Sequence, residues 1–182
     1  MPRRLRMSHP YPRLCPTFDY RGRVNYFITF KTHERQPRFR RSEIVEEVLT
    51  QFQRAATEEA FAILLHCFMP DHAHLIISGQ SETSDAKAFL KASKQYSGFY
   101  VAKRLGHQRL WQRYCHDRII RDDVELLDRV RYVVNNPVAA GIVERAEQYP
   151  FWGSSRWTRE ELLGICRRGF PNPTTGRVGR NL

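Results

Sequence analysis

Hydrophobic and polar residues change their spacing several times along this chain, and the changes mark its elements. "VNYFITF" (24–30) is a β-branched and aromatic run that predicts a first strand. "SEIVEEVLTQFQRAATEE" (42–59) has apolar residues at helical spacing and predicts a helix, with Ser42 as N-cap and acids in the first turn. A linker ending in "QPRFRR" separates the two. "AFAILLHCF" (60–68) and "HAHLIIS" (72–78) are short apolar runs joined by Met69, Pro70 and Asp71, residues suited to a hairpin, so they are expected to pair as antiparallel strands. A second helix is expected from about Asp85 to Leu105, stopped at Gly106. "WQRYCHDRII" (111–120) predicts a fourth strand, and "DDVELLDRVRYVVNN" (122–136) a further helix, started by acids and ended by Pro137.

The order strand, helix, strand, strand, helix, strand is that of a ferredoxin-like (RRM-like) α+β fold, an antiparallel sheet with both helices on one face. The extra helix is expected on or near the open face. Alternation along the third strand sends His72 and His74 to one side, opposite Ala73, Leu75 and Ile77, and hence to the open face. The two imidazoles are either a metal-binding pair or polar residues on a wet sheet surface, and a third group is needed to make a site.

Counted at about 100° per residue, Val124, Leu126, Leu127, Val130, Val133 and Val134 spread over one side of the last helix, the expected buried stripe. Asp128, Tyr132 and Asn136 follow at i, i+4 and i+8 as a polar line off that stripe. A helical tyrosine is commonly a rim residue with a hydrogen-bonded hydroxyl. It can also serve as a nucleophile toward phosphate when a bound cation polarises the phosphate, and Asn136 could then offer a neutral oxygen to the same cation.

At 182 residues the chain has the length of one compact domain with extensions. The expected boundaries are a basic N-terminal arm over 1–21, the domain over 22–157 and a basic C-terminal tail over 158–182. No apolar run approaches the roughly 20 residues that span a membrane. "MPRRLRMSHPYPRLC" lacks the apolar centre of a secretory signal, so a cytoplasmic protein is expected. Cys15, Cys67, Cys115 and Cys166 form no CxxC pair and are expected as reduced thiols.

Charge narrows the partners. The chain carries 30 Lys+Arg against 19 Asp+Glu, a net +11, and the sequence pI is about 10.0. Lysine occurs only at 31, 87, 91, 94 and 103, so most of the positive charge is arginine, whose planar fork suits phosphate oxygens. A polyanion is the leading partner class, and no basic amphipathic anchor points to a membrane.

Four blocks in order, "MPDHAHLII", "LWQRYCHDRIIRDD", "VRYVVNNPVAAGIV" and "YPFWGSS", resemble the REP-associated tyrosine transposases. These are a branch of the single-tyrosine HUH, insertion-sequence-type small transposases, and the resemblance covers roughly residues 22–157. It implies that Tyr132 is the nucleophile and that His72 and His74 are the metal pair. Asn136 stands as third ligand, where wider insertion-sequence enzymes have glutamine four residues after the tyrosine.

The implied cofactor is Mg2+ or Mn2+. The implied reaction is cleavage and rejoining of single-stranded DNA at hairpins of repetitive extragenic palindromes, through a 5′-phosphotyrosine. The expected state is a monomer, with a homodimer as the alternative.

For the DNA phosphates, Lys87, Lys91 and Lys94 on the second helix and Arg109, Arg113 and Arg118 are the candidates. An ordinary solvated face explains them equally well. Tyr96, His66, His116, Trp111, Trp152 and Trp157 are read as structural. Two other function classes fit the pattern: a noncatalytic ferredoxin-like nucleic-acid-binding module, which would show aromatics on its open face, and an HUH nuclease of replication-initiator or relaxase type.

Overall fold

A computed structural model describes residues 19–106 and 108–167. The elements run β1 (Asn25–Lys31), α1 (Ser42–Glu58), β2 (Phe61–Met69), β3 (His72–Gly79), α2 (Ala86–Arg104), β4 (His116–Ile120), α3 (Asp123–Ala139), β5 (Trp152–Gly153) and α4 (Arg159–Arg167). The five strands form one antiparallel sheet in the order β4-β1-β3-β2-β5. The first six elements follow the ferredoxin-like order.

Both faces of the sheet are covered. On one, Tyr26, Ile28, Phe30, Ala73, Leu75 and Ile77 pack with α1 (Ile44, Val48, Phe52) and α2 (Phe89, Leu90, Val101). On the other, Leu65, Cys67, Met69 and Ile76 pack with α3 (Val130, Val133, Val134) and with Leu162 of α4. Strand alternation assigns each residue to its layer, but β2 switches parity. A register shift between Ile63 and Leu65 leaves Phe61, Ile63 and Phe68 in the first core and Leu65, Cys67 and Met69 in the second.

Several expectations about element ends are corrected. Ser42 does not cap α1: Arg41 occupies the N-cap position without a side-chain cap bond, and its guanidinium pairs with Glu43 instead. Asp85 does cap α2, accepting from the backbone N–H groups of Lys87 and Ala88.

The fourth strand is shorter than expected. Trp111 stands apart in a single bridge to Thr32, and its ring packs among Phe30, Phe39 and Phe52. The linker between β1 and α1 is thus part of the core, since Phe39 is fully buried.

Pro137 does not end α3, which continues to Ala139. The stop lies at Gly141, whose φ of +67° permits a left-handed turn. Gly141 N–H donates to Val138 O and Ile142 N–H to Pro137 O, the paired bonds of a Schellman cap. Proline therefore costs one hydrogen bond inside the helix, while Pro137 itself is buried and the partly buried Val138 packs against the second core. Val124 is 53% exposed, so the buried stripe begins later than the sequence count implied.

At the chain ends, Tyr20, expected within the N-terminal arm, lies in the first core, and Arg21 bridges Asp85. Residues 159–167, expected within the tail, form α4 against α3. Residues 1–18 and 168–182 of the two expected basic arms, with Cys15, lie outside the described residues. Cys67, Cys115 and Cys166 are free thiols. Among the described residues, no helix is long and apolar enough to cross a membrane.

Candidate active site

β3 is central, flanked by β1 and β2, and its register fixes what surrounds the histidines. His74 stands opposite Thr29 on one side and Cys67 on the other, while His72 stands opposite Lys31 and Met69. Thr29 is in turn opposite His116 of β4. Directly paired residues share a face, so Lys31, Thr29, Phe27, His72, His74 and His116 all point toward the layer that carries α3.

Helix α3 crosses that face on its buried valines, and each fully buried valine is worth about 1.5–3 kcal/mol relative to exposure. Tyr132 and Asn136, one turn apart, project from it into the same space. Thr29, Lys31, Arg35, His72, His74, His116, Tyr132 and Asn136 line one open cleft of about 420 Å³.

The imidazoles are in contact, with ring centroids 4.7 Å apart. His74, 4% exposed, has its Nδ1 2.9 Å from Thr29 Oγ1 and its Nε2 3.3 Å from Asn136 Nδ2. Nδ1 of His72 donates to Asp71 Oδ1 at 2.7 Å. Phe27 stacks on His74 at 5.3 Å, and the Tyr132 ring meets both Phe27 (5.8 Å) and His74 (5.5 Å) edge-on. Tyr132 stays 48% exposed and open to a ligand.

Burial holds the pair neutral. It pushes the pKa of His74 down to about 3, helped by His72, Arg35 and Lys31. It lowers that of His72 as well, against the opposing effect of Asp71. Neutral imidazoles keep a lone pair available near pH 7, which suits metal ligation.

Among the described residues, no three His, Cys, Asp or Glu side chains converge on a common metal position. The neutral amide of Asn136 lines the same cleft beside the pair. The donor chemistry of two imidazoles and an amide, with room in the cleft for phosphate and water oxygens, fits a divalent cation.

Of the other candidates, Asp128 lies 3.6 Å from Arg131 and away from the cleft. Lys87, Lys91 and Lys94 belong to α2 on the opposite sheet face, so they do not join the His72, His74 and Tyr132 cluster. Lys94 Nζ donates to the carbonyls of Gln112 (2.6 Å) and Arg113 (2.7 Å), pinning the segment that leads to β4. Arg109 lines a separate pocket with Lys94 and Trp111. Arg113 lies over the Tyr114 ring, and Arg118 pairs with Glu125 at 2.7 Å.

Tyr96, read as packed, does contact the first core, yet its hydroxyl donates to Glu58. His116, read as structural, lines the cleft. Its place opposite Thr29 was within reach of strand pairing, as were those of Phe27, Thr29 and Lys31 on β1. Arg35 had no sequence signal, because a short irregular turn after β1 brings it in. The "YPFWGSS" block lies away from the cleft and covers the outer edge of β2. There Phe68 N–H donates to Phe151 O, and Ser155 Oγ to Ile63 O.

The profile of the family described as "Transposase IS200 like" matches residues 21–136. The chain belongs to the IS200-like transposase family. A Haemophilus influenzae protein assigned as a REP-associated tyrosine transposase is 22% identical over 159 residues, covering 81% of this chain and 89% of that protein. Among solved structures, a REP-associated tyrosine transposase bound to a REP hairpin superposes with a TM-score of 0.69 at 19% identity. The match covers 93% of this chain and 99% of the other, and it shows a shared fold.

Proposed function

We propose that the protein is a metal-dependent transposase and endonuclease of the REP-associated type, which cleaves and rejoins single-stranded DNA at palindromic hairpins through a 5′-phosphotyrosine. The observation that carries this reading is the convergence of His72, His74, Asn136 and Tyr132 on one cleft. The hairpin in the related complex supports the substrate class.

His72, His74 and Asn136 would hold Mg2+ or Mn2+, which supplies positive charge to a nonbridging oxygen of the scissile phosphate. Tyr132, half-exposed and in edge-on contact with Phe27 and His74, would attack phosphorus. The Tyr132 Oη–P bond forms as the P–O3′ bond breaks. The phenolic proton is released, and the departing 3′ oxygen is protonated to a free 3′-OH. No nucleotide cofactor is required, because the phosphotyrosine ester conserves the bond energy for attack by another 3′-OH. Lys31 and Arg35 add positive charge at the cleft, suited to backbone phosphates.

The test is incubation of labelled single-stranded hairpin DNA with the protein and Mn2+, followed by denaturing electrophoresis. The reading expects a covalent adduct that depends on Tyr132, His72 and His74. An adduct that survives Tyr132→Phe contradicts it.

A further inference from the structure

The cleft contains a layer of contacts behind the two histidines. Asp71 ends the β2–β3 hairpin, and its two carboxylate oxygens have separate partners: Oδ1 accepts from His72 Nδ1 at 2.7 Å, and Oδ2 pairs with Arg35 Nε at 2.7 Å. The backbone of Asp71 is fixed as well, its carbonyl accepting from both the N–H and the hydroxyl of Thr32. Glu34 and Arg35 turn through positive φ (52° and 56°), a conformation disfavoured for non-glycine residues that Arg35's ion pair with Asp71 helps to hold.

On the neighbouring strand pair, Thr29 Oγ1 lies 2.9 Å from Nδ1 of His74. Both contacts engage Nδ1. A carboxylate only accepts, so His72 carries its proton on Nδ1 and, being neutral, has a lone pair on Nε2. At His74 the amide N–H of Asn136 faces Nε2, which makes Nε2 the acceptor and leaves Nδ1–H to donate to Thr29; for a cation to take that lone pair, the Asn136 amide must turn so that its Oδ1, and not its N–H, faces the ring nitrogen.

We propose that Asp71 and Thr29 are positioning residues that hold His72 and His74 in the same Nδ1–H tautomer, with both Nε2 lone pairs presented to a divalent cation. This rests on the reading of the pair as a metal site. Arg35 holds Asp71 in turn, tying the turn after β1 to the ligand geometry. Such outer contacts commonly govern metal affinity by 10–100-fold, because they fix ring orientation and raise ligand basicity.

The test reads tautomers in the metal-free protein and metal affinity separately. Long-range 1H–15N spectra of the 15N-labelled full chain near pH 7.5, assigned with His72→Gln and His74→Gln, are expected to show Nδ1–H and bare Nε2 for both rings. Asp71→Ala should release the His72 ring from that tautomer and weaken Mn2+ binding, read by EPR titration, about 10–100-fold. Asp71→Asn, whose amide oxygen still accepts, should retain the tautomer and most of the affinity. Thr29→Val and Thr29→Ser should give the same pair of results at His74. Thermal melts identify any variant that fails to fold, and the Asn and Ser variants then carry the test.

Tautomers and Mn2+ affinity unchanged in Asp71→Ala and Thr29→Val would overturn the inference and leave the metal site standing. Absence of Mn2+ binding by the unmodified protein would overturn the metal reading itself, and the inference with it.

Discussion

Thr29 and His74 face each other across β1 and β3, with Thr29 Oγ1 and His74 Nδ1 2.9 Å apart. The register of two strands therefore sets the orientation of the most buried ring in the cleft. Tyr132 reaches the same ring from a helix, so the site depends equally on how α3 rests on the sheet.

That dependence is open to measurement. Val133 is fully buried beneath α3, and Val133→Ala should cost about 2 kcal/mol in urea denaturation. A small displacement of a reacting group is expensive in rate. The rate of adduct formation should fall at least tenfold in this variant while hairpin affinity changes by less than threefold. Equal losses in both would mean that α3 serves binding and not placement of the tyrosine.

Acid should weaken the fold through His66, which lies outside the cleft. Burial, with a smaller contribution from Arg159, depresses its pKa to about 4. The unfolded chain, titrating near 6.5, binds this proton first, so the contribution is present above pH 6.5 and is lost as the pH falls from there to about 4. The slope from this one group is at most about 1.4 kcal/mol per pH unit. Urea midpoints of wild type and His66→Gln at pH 7.5 and 4.5 check the sign: the variant should lose less on acidification.

Two glycines should respond very differently to alanine. A Cβ at Gly79 would lie 2.0 Å from the carbonyl oxygen of Gly22, a backbone atom, whereas nothing lies within 4 Å of one at Gly141. Gly141→Ala should cost about 1–2 kcal/mol, for its positive φ alone. Gly79→Ala should cost about 3 kcal/mol or more, since β3 and the segment before β1 must separate. Denaturant midpoints order the two.

The α2 lysines separate by function. Lys94→Met should lower the melting temperature, because its ammonium holds two carbonyls. Lys87 and Lys91 are exposed, and if they touch DNA phosphates, Lys91→Met should reduce the slope of log affinity against log salt by about 0.7–0.9. An unchanged slope would assign that residue to solvent.

Much of the site was legible because its residues obey simple periods. Strand parity put His72 and His74 on one face, and helical spacing aligned Tyr132 with Asn136. Phe27 and Thr29 lie on the same face of β1, but only the pairing register of β1 with β3 connects them to His74. The parity switch in β2 was hidden because both faces of that strand are apolar. Pro137 misled for a physical reason: a proline costs a helix one bond, and buried packing can outweigh that cost. α4 and β5 carried too few periodic residues to be read, and they are held by contacts with α3 and the β2 edge.

The most direct test of the account is to locate the covalent bond. Single-stranded hairpin DNA is incubated with the protein and Mn2+, the complex is digested with nuclease and trypsin, and peptides are examined by tandem mass spectrometry. The account predicts a nucleotide joined through its 5′-phosphate to the peptide containing Tyr132, and none in Tyr132→Phe. A nucleotide on another residue, or cleavage of the hairpin with no protein-linked product, would contradict it.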